Sequence, residues 1–183
     1  TGTAVLGLYP DYDGALSVSG TAVVAAVDGS DAITFSAYLV DNEDNFEADA
    51  TGGAHIHVGK TCADAGSVGG HFYDPGCAPT TGDVQVTEPP VADTTVAEPG
   101  TTLNPDPWVY IMYSTDANGD FDLPSPDEVT VDDITFGTAT PCTDVDGRAV
   151  VIHAPNGDRV GCGLLGLDVW TTTTVASNAS GFV

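Results

Sequence analysis

The chain has 183 residues, enough for one domain with a sizeable core. Three Lys+Arg stand against 27 Asp+Glu for a formal charge of −24, which excludes charge-driven binding to nucleic acid or anionic membranes. Hydrophobic residues make up 42%, so disorder is not the reading, and the longest apolar run, Ala22–Val27, is six residues, far short of a membrane-crossing helix.

In chain order, Thr3–Tyr9 and Leu16–Val27 read as strands joined by the turn Pro10-Asp11-Tyr12-Asp13-Gly14. Asp28-Gly29-Ser30-Asp31 is a hairpin leading into Ala32–Val40, where Ile33, Phe35, Ala37 and Leu39 share one face. Asp41–Gly53 is an acidic, solvated connection, and Ala54–Gly59 is a further strand. Lys60–Pro107 lacks clear periodicity, and its second half, TEPPVADTTVAEPGTTLNPDP, reads as an extended surface insertion. Trp108–Ser114, Val129–Phe136, Arg148–His153 and Val160–Val169 read as strands, with an Asn-Gly hairpin in Thr115–Gly119. Thr171–Val183 is a Thr/Ser-rich tail or linker, leaving residues 1–170 as the folded domain. About eight short strands with regularly spaced turns predict an all-β sandwich or barrel.

Three of the four histidines fall in GAHIHVGKTCADAGSVGGHFYDP, residues 53–75, and the fourth, His153, in GRAVVIHAPNGDRVGCG. In a strand, His55 and His57 share one face, ~6.6 Å apart along the chain, with Ile56 and Val58 on the other. Two such imidazoles can reach one metal ion, with His71 and His153 arriving from elsewhere. A four-imidazole site suits copper(II) better than magnesium or calcium.

Four cysteines without a CxxC pair favour disulfides over a sulfur metal site, with three connectivities open, and imply an oxidising compartment. Asn178-Ala179-Ser180 is a glycosylation sequon consistent with an extracellular, secreted protein. Thr1 in place of an initiator methionine suggests a mature protein or an excised module. Asp116, Asn118, Asp120, Asp122 and Asp127 place oxygens at the spacing of a calcium loop. Phe121 occupies the position where that loop needs glycine, and strands flank it. A plain acidic hairpin is the alternative to calcium.

HIHVG, a following cysteine, GGHFYDP, and the later GRAVVIH with RVGCGLLG together resemble the copper/zinc superoxide dismutases over most of the chain. The resemblance implies a Greek-key β-barrel with long metal-site loops. It implies copper held by His55, His57, His71 and His153, an active-site arginine at Arg159, and a disulfide between Cys62 and Cys162. That pairing leaves Cys77 and Cys142 for a second bridge. Arg148 and Lys60 are read as structural and solvated, respectively. Two departures resemble the copper-only branch of the family. No histidines remain for zinc, and only five residues, APNGD, stand between His153 and Arg159 where the family has a long guiding loop. His71, the zinc bridge in two-metal enzymes, then needs another partner for its second nitrogen, and Asp83 is the candidate beside the reading of a solvent-facing turn residue.

The expectation is a copper-only dismutase acting on superoxide, with oligomeric state left open. The alternatives are an extracellular structural or adhesive module of this fold, and an imidazole-bound zinc acting on water.

Overall fold

The computed structural model describes residues 1–41, 46–73, 106–122, 127–132, 134–137 and 143–167. Asp83, Cys77, Cys142, Asn178, residues 87–105 of the insertion and the tail lie outside the described residues. The strands are β1 (Gly2–Leu8), β2 (Val18–Ala26), β3 (Ala32–Asp41), β4 (Thr51–Ile56), β5 (Met112–Ser114), β6 (Val129–Asp132), β7 (Ala149–His153), β8 (Arg159–Leu164) and β9 (Gly166–Leu167). All pairings between these strands are antiparallel, in the order β5-β4-β7-β8-β1-β2-β3-β6, with β9 pairing beside β1. The β4–β7 and β3–β6 neighbours are not consecutive in the chain, as Greek-key connections require. The result is one curled sheet whose concave side holds the main core.

The alternation read in β3 is real. Ile33, Phe35, Ala37 and Leu39 are buried together with Leu6, Val24 and Ile56. β7, AVVIH, is buried at every position because both its faces are covered. Val150 and Ile152 enter the main core, while Ala149 and Val151 join Tyr9, Val68 and Cys162 in a second cluster. A strand covered on both sides reads as a continuous apolar run rather than an alternation. The second cluster lies under the loop that follows β4, and it seats that loop on the sheet.

β6 ends at Asp132, short of the Phe136 expected, and three further differences in boundary bear on the site. β4 begins at Thr51, inside the stretch read as a solvated connection, because Gly52 and Gly53 pair with Tyr113 and Met112 of β5. It ends at Ile56, so Val58 is not a core partner of Ile56 but 44% exposed. The segment read as a strand from Trp108 starts as a short 3-10 turn, Pro107–Tyr110. Asp106 and Pro107 explain it, an N-capping carboxylate followed by the residue best suited to a first helical position.

Candidate metal centre

Gly53, His55 and His57 fall on the outer face of the sheet by strand alternation, while Ala54 and Ile56 point into the core. A side chain at Gly53 would strike the His55 ring, with a Cβ only 2.3 Å from its Cε1. Gly53 therefore makes the space in which that imidazole lies. The β4–β7 pairing sets His55 against Val151 and brings His153, the last residue of β7, alongside. His71 returns from the loop to bridge His57 across an isolated antiparallel pair. Phe72 N–H then donates to the Ile56 carbonyl at 2.8 Å, which locks that return to the end of β4.

All four sequence-predicted histidines come together. One ring nitrogen from each lies within 4.8 Å of those of the others. His55 sits with its ring centroid 4.3 Å from His71 and 4.9 Å from His153. The orientation of three rings is set by their Nδ1 atoms. His57 Nδ1 donates to the Gly69 carbonyl at 2.8 Å, His153 Nδ1 to the Gly157 carbonyl at 3.2 Å, and His71 Nδ1 to Asp106 Oδ2 at 2.6 Å. A carbonyl or carboxylate oxygen accepts only, so each of these rings carries its hydrogen on Nδ1 and, when neutral, an Nε2 lone pair.

When both rings are neutral, two of those lone pairs confront each other. Nε2 of His57 and Nε2 of His153 lie 3.2 Å apart. With no hydrogen between them the contact is repulsive, and a cation relieves it. A proton is a poor choice at His57, whose basicity burial holds well below the ordinary histidine range, with His71, His153 and Arg159 adding to the effect against the Gly69 hydrogen bond. His55 behaves alike: burial first, then the neighbouring His71 and His153, push it down to about 2, against a weak opposing contact with the Ile111 backbone. Neither of its buried ring nitrogens has a well-formed hydrogen bond among the described residues. Neutral imidazoles with inward lone pairs and polar atoms left bare are what a metal site requires before its ion arrives. The four histidines can hold a metal ion.

No protein-family model matches this chain, and no curated protein matches it.

Arg159 opens β8 opposite His153, donates from Nη1 to the Tyr9 hydroxyl at 3.1 Å, and is near enough for its charge to bear on His57. Cys62 and Cys162 form a disulfide with Cα atoms 6.0 Å apart, fastening the loop to β8. Arg148 has a structural post. It donates to the Asp144 carbonyl at 2.8 Å and the Val58 carbonyl at 2.6 Å, with its guanidinium 3.5 Å above the Phe72 ring. Lys60 is an exposed residue whose Nζ donates to the Asp146 carbonyl.

In the stretch read as a calcium loop or an acidic hairpin, Asp116 serves the local turn. Asp116 Oδ1 accepts from the backbone N–H groups of Asn118 and Asp120, and Oδ2 from the Asn118 amide, so the carboxylate closes its own turn. Phe121 is buried against Phe46 and Tyr113. Asp120, Asp122 and Asp127 are exposed. Among the described residues only the four histidines converge as metal ligands.

Asp106 was not anticipated. One of its oxygens caps the 3-10 turn by accepting from Trp108 N–H at 2.8 Å, and the other holds His71. It occupies the supporting position assigned to Asp83, which lies outside the described residues. The signal was present as Asp-Pro-Trp, a capping residue before a helix-starting proline. Nothing local tied it to a histidine 35 positions earlier.

Proposed function

We propose that this chain is a secreted copper-only superoxide dismutase domain. The observation that carries the reading is the set of four converging imidazoles, three of them oriented through Nδ1, with Nε2 of His57 and Nε2 of His153 3.2 Å apart and an arginine at the edge of the same cluster. An all-nitrogen, uncharged donor set suits copper better than a hard cation, which prefers oxygen. Copper bound there would supply the Cu(II)/Cu(I) cycle that oxidises one superoxide to dioxygen and reduces another, with two protons, to hydrogen peroxide.

The chain's own residues have distinct parts in this reading. Gly69, Gly157 and Asp106 fix the ring orientations of His57, His153 and His71. Arg159 provides a permanent positive charge for a small anion. The Ala154–Asp158 turn, closed by Ala154 N–H to the Asp158 carbonyl and Gly157 N–H to the Ala154 carbonyl, stands in place of a long guiding loop. The disulfide accords with secretion into an oxidising medium.

Copper loading followed by EPR and pulse radiolysis tests the reading. One type-2 copper per chain with rapid superoxide decay is expected, and His153→Ala should remove both. Tight zinc with hydrolytic activity, or no metal uptake at all, would replace it with one of the two alternatives.

A further inference from the structure

Tyr9 is 6% exposed, and a phenol buried to that degree needs partners for its hydroxyl. It has two. Arg159 Nη1 donates to Tyr9 Oη at 3.1 Å, and Oη donates to the Ala65 carbonyl at 3.2 Å. The direction is forced, because a guanidinium only donates and a carbonyl only accepts. Ala65 belongs to the short turn between Cys62 and His71, capped by Asp64. Arg159 begins β8, next to Val160, whose carbonyl accepts from Tyr9 N–H at 3.0 Å. The Tyr9 ring is packed with Val68, Val151 and Cys162, and Arg159 Cζ lies 5.9 Å from its centroid. One residue from the end of β1 thus joins the arginine to the backbone of the histidine loop.

The geometry points to Tyr9 as a positioning residue for an anion site beside the metal. Its hydroxyl holds one nitrogen of Arg159 against the loop, so that the guanidinium is already fixed when a small monoanion arrives. The identity of that anion as superoxide rests on the dismutase reading, whereas the arrangement of Tyr9, Arg159 and Ala65 does not. Two physical considerations favour this role over simple packing. Phenylalanine would fill the cluster equally well, so the hydroxyl is needed only for its hydrogen bonds. A neutral phenol also restrains the guanidinium without cancelling its charge, as an aspartate would in a chain of net charge −24. Restraint set by the fold removes an ordering cost from anion binding.

Arg148 and Arg159 are the only arginines, so side-chain 15N NMR resolves the two Nε signals, with Arg159→Gln supplying the assignment. In Tyr9→Phe the Arg159 Nε heteronuclear NOE should fall, while that of Arg148, clamped by the Val58 and Asp144 carbonyls, should not. On copper-loaded protein, azide should bind about fivefold more weakly to Tyr9→Phe, the loss of one partly exposed hydrogen bond to a charged group. The same change made in an Arg159→Gln background should leave azide affinity where it was. An unaltered Arg159 signal in Tyr9→Phe, or equal azide weakening in both backgrounds, overturns the proposal. Protein that binds copper and azide as described but does not consume superoxide removes the dismutase reading and leaves the Tyr9 assignment standing. If copper does not bind, the NMR comparison decides alone.

Discussion

Asp106 divides its carboxylate between two tasks, and substitution can separate them. One oxygen caps Pro107–Tyr110 and the other holds His71 Nδ1–H. Asparagine caps helical turns as well as aspartate does. In Asp106→Asn the retained oxygen can cap, leaving an NH2 group facing an N–H donor at His71. Thermal stability should therefore change little, while metal affinity falls by about 10- to 100-fold, the usual effect of removing a group that orients a ligand. Asp106→Ala should lose the same affinity and about 1 kcal/mol of stability besides. Competition titration against a copper chelator, alongside thermal melts, checks both. Wild-type copper affinity in both variants would show that the carboxylate orients nothing.

Among elements, the loop after β4 carries the centre yet has little regular structure. Its attachments are the Cys62–Cys162 bridge, the Val68 side chain in the outer cluster, and backbone bonds from Val58 N–H to the Gly70 carbonyl and Gly59 N–H to the Val68 carbonyl, both 2.9 Å. A Cβ at Gly59 would lie 2.2 Å from the Ser67 carbonyl oxygen, so this close approach depends on glycine. The bridge closes a sequence separation of 100 residues. Its removal by Cys62→Ser with Cys162→Ser should cost about 2–4 kcal/mol in denaturant unfolding. Because Gly69 and His71 ride on the tethered loop, copper affinity should fall too. Retained affinity would mean that the hydrogen bonds and packing hold the loop unaided.

At the scale of the whole molecule, two electrostatic consequences follow. Burial lowers the basicity of His55 to about 2 and that of His57 well below the usual value. Both are neutral in the metal-free fold and gain protons on unfolding below about pH 6.5. The stabilisation is complete above that pH and is lost as pH falls toward the depressed folded-state values. The slope is about 1.4 kcal/mol per pH unit for each group. Denaturant midpoints of metal-free protein at pH 7 and pH 5 should differ accordingly, with the acid sample weaker and the loaded protein less sensitive. A flat profile would mean that these rings protonate within the fold.

The second consequence concerns salt. The chain carries a charge of −24, and Arg159 is the cation at the centre. In 0.1 M salt the Debye length is about 10 Å, so distant aspartates are screened while Arg159 still acts on an anion beside it. On the proposed dismutase reading, superoxide consumption should therefore hold steady or rise between low and moderate ionic strength. Pulse-radiolysis rates against sodium perchlorate at fixed pH measure this. A steep fall would show a positive local field in spite of the short Ala154–Asp158 turn.

What the sequence determined by itself was whatever depends on near neighbours. Strand periodicity in β3 and the shared face of His55 and His57 follow from the two-residue repeat of extended chain, and the Asn118-Gly119 turn follows from local conformational preference, with Gly119 at φ 88°. The four histidines and the Cys62–Cys162 pair were found through motif resemblance, which carries long-range information that periodicity lacks. The tertiary structure alone decided what holds those groups. The Asp106–His71 contact, the Tyr9 link from Arg159 to Ala65 and the Arg148 clamp on Val58 span 35, 150 and 56, and 90 positions. Each depends on how the β4–β7–β8–β1 order brings remote segments onto one outer face. The start of β4 was hidden for the same reason, since Gly52 and Gly53 have poor strand propensity and become strand only by pairing with β5 and making room for Tyr113 and the His55 ring.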